Sequence, residues 1–176
     1  MKLKKIYGMK DSKSNIINKE ARRKKALGEL GKLLGIKALV DNGFTNIKNL
    51  NGIKRNYTFA DLYAEKDNKK YAISIKTRNK FQENGKENMF YNLGKNVYLN
   101  SERIAEELKA EAFWMAIPFN ENSYSVYLGG VKELNNKHSI PIRKCKIQEI
   151  GVCLVQNVGH YFDWDFFRNK RERIAK

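Results

Sequence analysis

The feature that most constrains the fold of this chain is a pair of alternating segments between residues 57 and 78, joined by a short polar turn. In the first, Tyr57 to Glu65, Ala60, Leu62 and Ala64 fall on one side and Phe59, Asp61, Tyr63 and Glu65 on the other. In the second, Tyr71 to Arg78, the apolar side carries Tyr71, Ile73 and Ile75, and the opposite side carries Ala72, Ser74 and Lys76. A period of two is the mark of a half-buried β-strand. A turn centred between Asp67 and Asn68 sets Leu62 across from Ile73 and Ala64 across from Tyr71. Slipping the pairing by one residue would turn the two apolar sets to opposite sides, so burial selects this register. The same register sets Asp61 across from Ser74, with Lys76 one step along. One carboxylate, one hydroxyl and one ammonium thus meet on a single face of a hairpin.

The segments on either side read as one α/β unit. Residues 1–15 form a basic arm expected to be loose in isolation. From Ile16 to Asn42, Leu27, Leu30, Leu34 and Ala38 recur at helical spacing, with Ala26, Leu33 and Val40 widening the stripe. Gly28, Gly31 and Gly35 within that helix mark either close packing or a break into two pieces. Asn42-Gly43 is a C-terminal stop, and Phe44 to Leu50 reads as a short edge strand. After Thr77 a polar loop of about twenty residues leads to a helix starting at Ser101, whose early acids suit an N-terminus, and loops this long inside a domain are functional or mobile. Ala112 to Phe119 is an apolar run that fits a buried strand. Tyr124 to Leu128 and Ile147 to Val155 read as further strands, 131–150 carries no clear pattern, and Asp163 to Lys176 reads as a final amphipathic helix holding Trp164, Phe166 and Phe167. No repeat marks a second domain, so the expected organisation is one domain over 1–176: the arm at 1–15, a core at 16–119 and a C-terminal extension at 120–176.

Charge narrows the class of partner. The formal net charge is +16, and the stretch from Lys2 to Lys25 holds ten of the 35 basic residues against only Asp11 and Glu20. A second group, Arg168, Lys170, Arg171, Arg173 and Lys176, closes the chain. An excess of this size favours a polyanion, nucleic acid before anionic membrane. Tyr57, Tyr71, Phe81, Phe90 and Tyr91 accompany the basic residues and suit stacking on bases as well as a core. No apolar run is long enough to span a bilayer, and no signal peptide follows the charged start. Cys145 and Cys153 suit small inward-facing hydrophobes rather than a zinc site or a disulfide framework, which makes the cytoplasm the expected home. His160 lies close to Asp163 and Asp165, a weak metal spacing; a histidine beside a helix capped by Asp163 accounts for it better.

With these elements in order, the chain resembles the PD-(D/E)xK nuclease superfamily, the fold of many restriction endonucleases and archaeal Holliday-junction resolvases. The residues that carry the resemblance are Asp61 before the turn and Lys76 after it, followed by Thr77 and Arg78. In that family an acid near the start of the second core strand precedes an acid-x-Lys tripeptide on the third, and a helix glutamate often completes the site. The resemblance implies an αβββαβ core with a central mixed sheet flanked by helices. It implies catalytic roles for Asp61, Ser74, Lys76 and Glu29, and a metal, Mg2+ or else Mn2+, held by Asp61, the Ile75 carbonyl and a helix glutamate. Glu29 suits the family spacing; Glu20 is the alternative, and Glu65 is a third carboxylate able to reach across the sheet. The departure is Ser74, where the family carries an acid. A hydroxyl is a neutral ligand and lacks the charge that a hard divalent cation draws from its oxygen donors.

The resemblance implies a metal-dependent endonuclease acting on double-stranded DNA, restriction-like or from a mobile element, with a homodimer as a way to cut both strands and no membrane partner. Lys76 would hold or deprotonate the attacking water and stabilise developing charge. Arg78 and Lys80, with Arg22, Arg23 and Lys24 on the first helix, would hold phosphates. The alternative is a catalytically inactive nucleic-acid-binding module on the same fold, with Ser74 as its mark.

Overall fold

The computed structural model describes residues 4–52, 57–120 and 123–159, with side chains described from Glu20 onward. The elements are α1 (Lys4–Asp41), β1 (Thr45–Asn49), β2 (Leu62–Lys66), β3 (Lys69–Asn79), β4 (Phe90–Asn92), α2 (Val97–Leu108), β5 (Glu111–Phe119), β6 (Ser123–Gly130), β7 (Ser139–Pro141), α3 (Ile142–Lys146) and β8 (Val152–Gly159). Six strands form one mixed sheet in the order β1-β2-β3-β5-β6-β8, and β4 pairs with β7 in a separate ribbon. Within the large sheet β3 and β5 are parallel, joined by the crossover through α2, and the other neighbours are antiparallel.

The expected hairpin register is the one observed: Leu62 pairs with Ile73 and Ala64 with Tyr71. Asp67 and Asn68 hold left-handed φ values of 50° and 61°. Two such residues make the turn whose twist matches paired strands, and Asp and Asn tolerate that conformation best among side-chain-bearing residues. Both faces of the hairpin are covered. On one, Leu34, Ala38 and Leu39 of α1 pack with Leu62, Ala64, Ile73, Ile75, Met115 and Ile117. On the other, Val97 and Ile104 of α2 pack with Ala72, Trp114, Ala116 and Tyr127.

The first helix does not break at its glycines. A Cβ at Gly31 would fall 2.7 Å from the Thr77 Cβ and closer still to its Oγ1, and one at Gly35 would fall 2.8 Å from the Met115 sulfur. These glycines let α1 lie directly on β3 and β5. The helix also begins earlier than its periodicity suggested, at Lys4, so most of the basic segment expected as a loose arm is helical. It ends as expected, with Gly43 at φ 77° and the Phe44 N–H donating to the Leu39 carbonyl (3.0 Å).

Other boundaries moved. The second helix starts at Val97, not Ser101. Val97 is buried and anchors the first turn, while the Ser101 hydroxyl donates to the Tyr98 carbonyl (2.8 Å) inside the helix instead of capping it. The expected strand from Ile147 begins only at Val152, because Gln148 and Gly151 both take left-handed φ and turn the chain. The long loop after β3 holds β4, which finds its partner in the patternless 131–150 stretch. The strand expected from Tyr57 is paired only from Leu62, so Asp61 stands just ahead of β2. His160 and the final helix expected at Asp163 to Lys176 lie outside the described residues.

Tyr91 anchors the ribbon. It is fully buried, and its hydroxyl has no hydrogen-bond partner among the described residues. Burial pushes its phenol up well above the ordinary value. A buried donor without an acceptor carries its desolvation cost unrelieved. Tyr91→Phe is therefore expected to stabilise the protein by about 1 kcal/mol, a rise of about 2–4 °C in melting temperature for a chain of this size. A lower melting temperature in the variant would mean that the hydroxyl has a partner in solution.

Candidate functional site

Asp61 reaches the polar face of the hairpin through the backbone of β3 and of the turn that follows β1. Its N–H donates to the Ile73 carbonyl (2.8 Å) and its carbonyl accepts from the Leu50 N–H (3.0 Å). With the backbone fixed on both sides, the carboxylate lies on β3: Oδ2 accepts the Ile75 N–H at 2.8 Å, between Ser74 and Lys76. Oδ1 accepts from Asn51 Nδ2 at 3.3 Å. Asn51, ten residues away in a turn, carried no sequence signal of its own. Ser74 is buried at 3 % exposure and Lys76 is half-buried. Asp61, Ser74 and Lys76 are therefore one patch.

Lys76 is not simply the partner of Asp61. Among the described residues its ammonium forms no ion pair within 4.0 Å. Burial pushes it below its ordinary value; the Asp61 charge acts in the opposite sense, and Arg78 reinforces the lowering. The result is a partly desolvated lysine beside a carboxylate, with its proton held less tightly than in water. Such a group can both carry positive charge and accept a proton, which is what an activated-water site asks of it.

The patch lies toward the carboxyl ends of the parallel pair β3 and β5, where α/β sheets open to ligands. Arg78 and Lys80 continue the same face of β3. Arg78 is exposed and donates to its own neighbour, the Thr77 carbonyl (3.3 Å). Lys80 donates its N–H to the Phe119 carbonyl (2.6 Å), extending the parallel ladder one residue past the strand, and its ammonium lies 5.5 Å from the Phe81 ring centroid.

The helix carboxylates are engaged elsewhere. Glu29 pairs with Lys32 at 3.3 Å on an exposed surface. Glu20 pairs with Arg23 (3.0 Å) and Lys24 (3.5 Å), and the Arg23 hydrogen bond holds its carboxyl below the usual range. Glu65 accepts from Tyr63 and from Asn46 Nδ2 (3.0 Å). Among the described residues no three His, Cys, Asp or Glu side chains gather into a group able to hold a metal. The basic stretch of α1 belongs to the helix that packs on the other face of the sheet, and the Glu83 charge in the loop after β3 acts on Arg23. Arg22 beside it is exposed.

Of the five aromatics considered for stacking, Tyr71 is taken up between Phe44 (5.1 Å) and Phe113 (4.6 Å). Tyr91 is in the core and Tyr57 packs against it, whereas Phe81 and Phe90 are exposed at 46 % and 70 %. Cys145 is buried and free, its thiol pushed up to about 12 by burial, and Cys153 is half-buried and free. Among the described residues no helix is long and apolar enough to cross a membrane.

The comparisons with known proteins are consistent with this topology. No family model matches the chain, and no curated protein matches it in sequence. Among solved structures, the crystal structure of Hjc, a Holliday junction resolvase from the archaeal hyperthermophile Archaeoglobus fulgidus, superposes with a TM-score of 0.52. The match covers 72% of this chain and 95% of Hjc, at 15% sequence identity. The two share a fold, a mixed sheet with flanking helices.

Proposed function

We propose that this protein is an endonuclease that hydrolyses phosphodiester bonds in double-stranded DNA, with Asp61 and Lys76 at the centre of the site. The observation that supports this most is the Asp61 carboxylate seated on the Ile75 N–H beside Lys76, at the carboxyl end of the parallel strands, in a fold shared with a resolvase. Lys76 holds the attacking water, takes its proton or stabilises the charge that develops on the phosphate. Arg78, Lys80, Arg22, Arg23 and Lys24 hold flanking phosphates. Ser74 offers its hydroxyl to the same water or phosphate oxygen.

The donor set fits a divalent cation only in company with the substrate. Asp61 is one carboxylate, and magnesium is commonly held by one or two carboxylates together with substrate phosphate oxygens and waters. Glu29 or Glu20 would join it only by releasing Lys32 or Arg23. When bound, Mg2+ or Mn2+ supplies charge that polarises the phosphate and acidifies a coordinated water. Cutting both strands calls for two such sites, which a homodimer provides. The two free thiols suit the cytoplasm.

A second reading is favoured by one observation: with Ser74 in the acid position and no third carboxylate beside Asp61 among the described residues, the chain would bind nucleic acid without cutting it. Plasmid DNA with Mg2+ or Mn2+ separates the two. Nicked and linear products, absent with chelator, support cleavage. Tight binding without products leaves the second reading. Absence of binding at low salt removes both. The five named cations predict a slope of about −4.5 for log Kobs against log salt on duplex DNA, and Lys80→Ala should make it shallower by about 0.9.

A further inference from the structure

The sheet face that carries Lys76 continues across β5 onto β6. Lys76 pairs with Ala116 and Ala116 with Tyr127, so these three share one face across β3, β5 and β6. Two strand spacings put Tyr127 about 10 Å from Lys76. Along β3, Lys80 lies about 13 Å beyond Lys76. Where these directions converge, the described residues leave a half-open cleft of about 320 Å³, lined among others by Lys80, Lys146, Tyr127, Ser125, Gln156 and Asn157. Tyr127 is 5 % exposed and forms part of the floor, its hydroxyl hydrogen-bonded with the Ser125 side chain. Ser125 Oγ also accepts the Asn157 N–H (2.9 Å), and Asn157 Oδ1 accepts from Ser123 (2.9 Å). Lys146 is steadied by an ion pair with Glu87. The charge of Glu87, which pairs with Lys146, also acts on the Tyr127 hydroxyl.

We propose that this cleft receives one unpaired nucleotide of the nucleic acid held at Asp61 and Lys76, its phosphate at Lys80 and Lys146 and its base against the amides of Gln156 and Asn157. The proposal rests on the nuclease reading above and adds a substrate class to it: DNA with an unpaired nucleotide a short way along the strand from the cut. The volume is the first reason. A phosphate alone would leave most of the cleft empty, whereas about 300 Å³ is the lower range of sites that enclose a small organic molecule. Shape is the second. A base inside a duplex is stacked on both sides and cannot enter a concavity, so only an unpaired or extruded one fits. The lining is the third: two ammonium groups for a phosphate, and amides and hydroxyls with both donors and acceptors for a base edge. Phe81, tied to Lys80 by its ammonium and 46 % exposed, offers a stacking face beside the cleft.

The test measures affinity of the full chain, with chelator present, for a blunt duplex and for the same duplex carrying a short single-stranded overhang. The wild type is expected to prefer the overhang by about tenfold. Gln156→Ala, which changes no charge, should erase most of that preference and leave blunt-duplex affinity and its salt slope unchanged; Lys146→Gln should weaken the overhang complex more than the blunt one. Equal affinity for both substrates in the wild type, or a preference that survives both variants, overturns the cleft assignment while leaving the nuclease reading intact. Failure to bind either substrate overturns both. Overhang binding lost with Gln156→Ala in a protein that never cleaves supports the cleft and sinks only the hydrolytic step.

Discussion

Lys76→Met is expected to lower DNA cleavage about 10²–10³-fold and to raise the melting temperature of the protein. The two effects have one cause. Lys76 is half-buried, lacks an ion pair among the described residues, and is pushed below its ordinary value near 10.5 by desolvation. A group whose folded value lies below its unfolded one binds its proton less tightly in the native state. The folding penalty is fully present at pH below the folded value and is relieved as pH rises from there toward 10.5. Methionine keeps much of the volume and removes the charge. The gain in stability should be clearest near neutral pH, of the order of 1 kcal/mol or about 2–4 °C, and should shrink as the pH approaches the unfolded value. Paired melting curves and plasmid assays on one preparation check both halves. A variant that loses cleavage and also loses stability would show Lys76 to be a structural residue. Unchanged cleavage would remove it from the site. Asp61→Asn complements this: the amide still packs beside the Ile75 N–H but carries no charge, so cleavage should fall while the hairpin persists.

Gly31→Ala is expected to destabilise the protein by about 1–3 kcal/mol, the cost of forcing atoms into a closed contact. The new methyl would lie 2.7 Å from the Thr77 Cβ and nearer to Oγ1, and Thr77 is itself only 6 % exposed. Neither element can yield freely. Thr77 belongs to β3, paired on both sides, and the next glycine along the helix, Gly35, is pressed against Met115 and Ile75. The helix must therefore lift at the level of Thr77, one residue from Lys76 and one from Arg78, so DNA affinity should fall with stability. Thr77→Ala in the Gly31→Ala background should recover part of the loss by removing Oγ1, which has no hydrogen-bond partner among the described residues. Denaturant unfolding of the two single variants and the double variant measures this coupling. Additive effects would mean that the helix does not rest on Thr77 in solution.

The parts of the fold that the chain spelled out locally are those its own burial decides. The hairpin register was readable because a slip would put Leu62 on the opposite side from Ile73 and Ile75, and β5 was readable as one continuous apolar run. The parts that eluded the sequence depend on partners far along the chain. The three residues of β4 are a strand only because Ser139–Pro141 lies beside them. Ser101 had the look of a cap, and what overrode it was Val97, whose burial no local pattern announces. Gly31 and Gly35 read equally well as contacts or breaks until Thr77 and Met115 were seen beneath them. For the candidate site, the meeting of Asp61, Ser74 and Lys76 followed from the register alone. Asn51 did not, since its bond to Asp61 depends on a turn ten residues upstream, and the ion pairs of Glu20 and Glu29 were only partly foreseeable from neighbouring lysines and arginines.

The two neighbours of β3 are reached along very different lengths of chain. β2 is joined to it by the Asp67-Asn68 turn, and β5 only through the whole crossover carrying β4 and α2. Short loops close in about 10–100 ns, and long closures carry the larger entropy cost. Asp61 and Lys76 can therefore meet while the chain is still collapsing, before the parallel pair exists. The lowered proton affinity of Lys76 cannot arise so early, because it comes from burial, and β5, the strand beside Lys76, arrives only with the long closure. The hairpin sets the positions of these residues; the last long-range contacts to form set their chemistry.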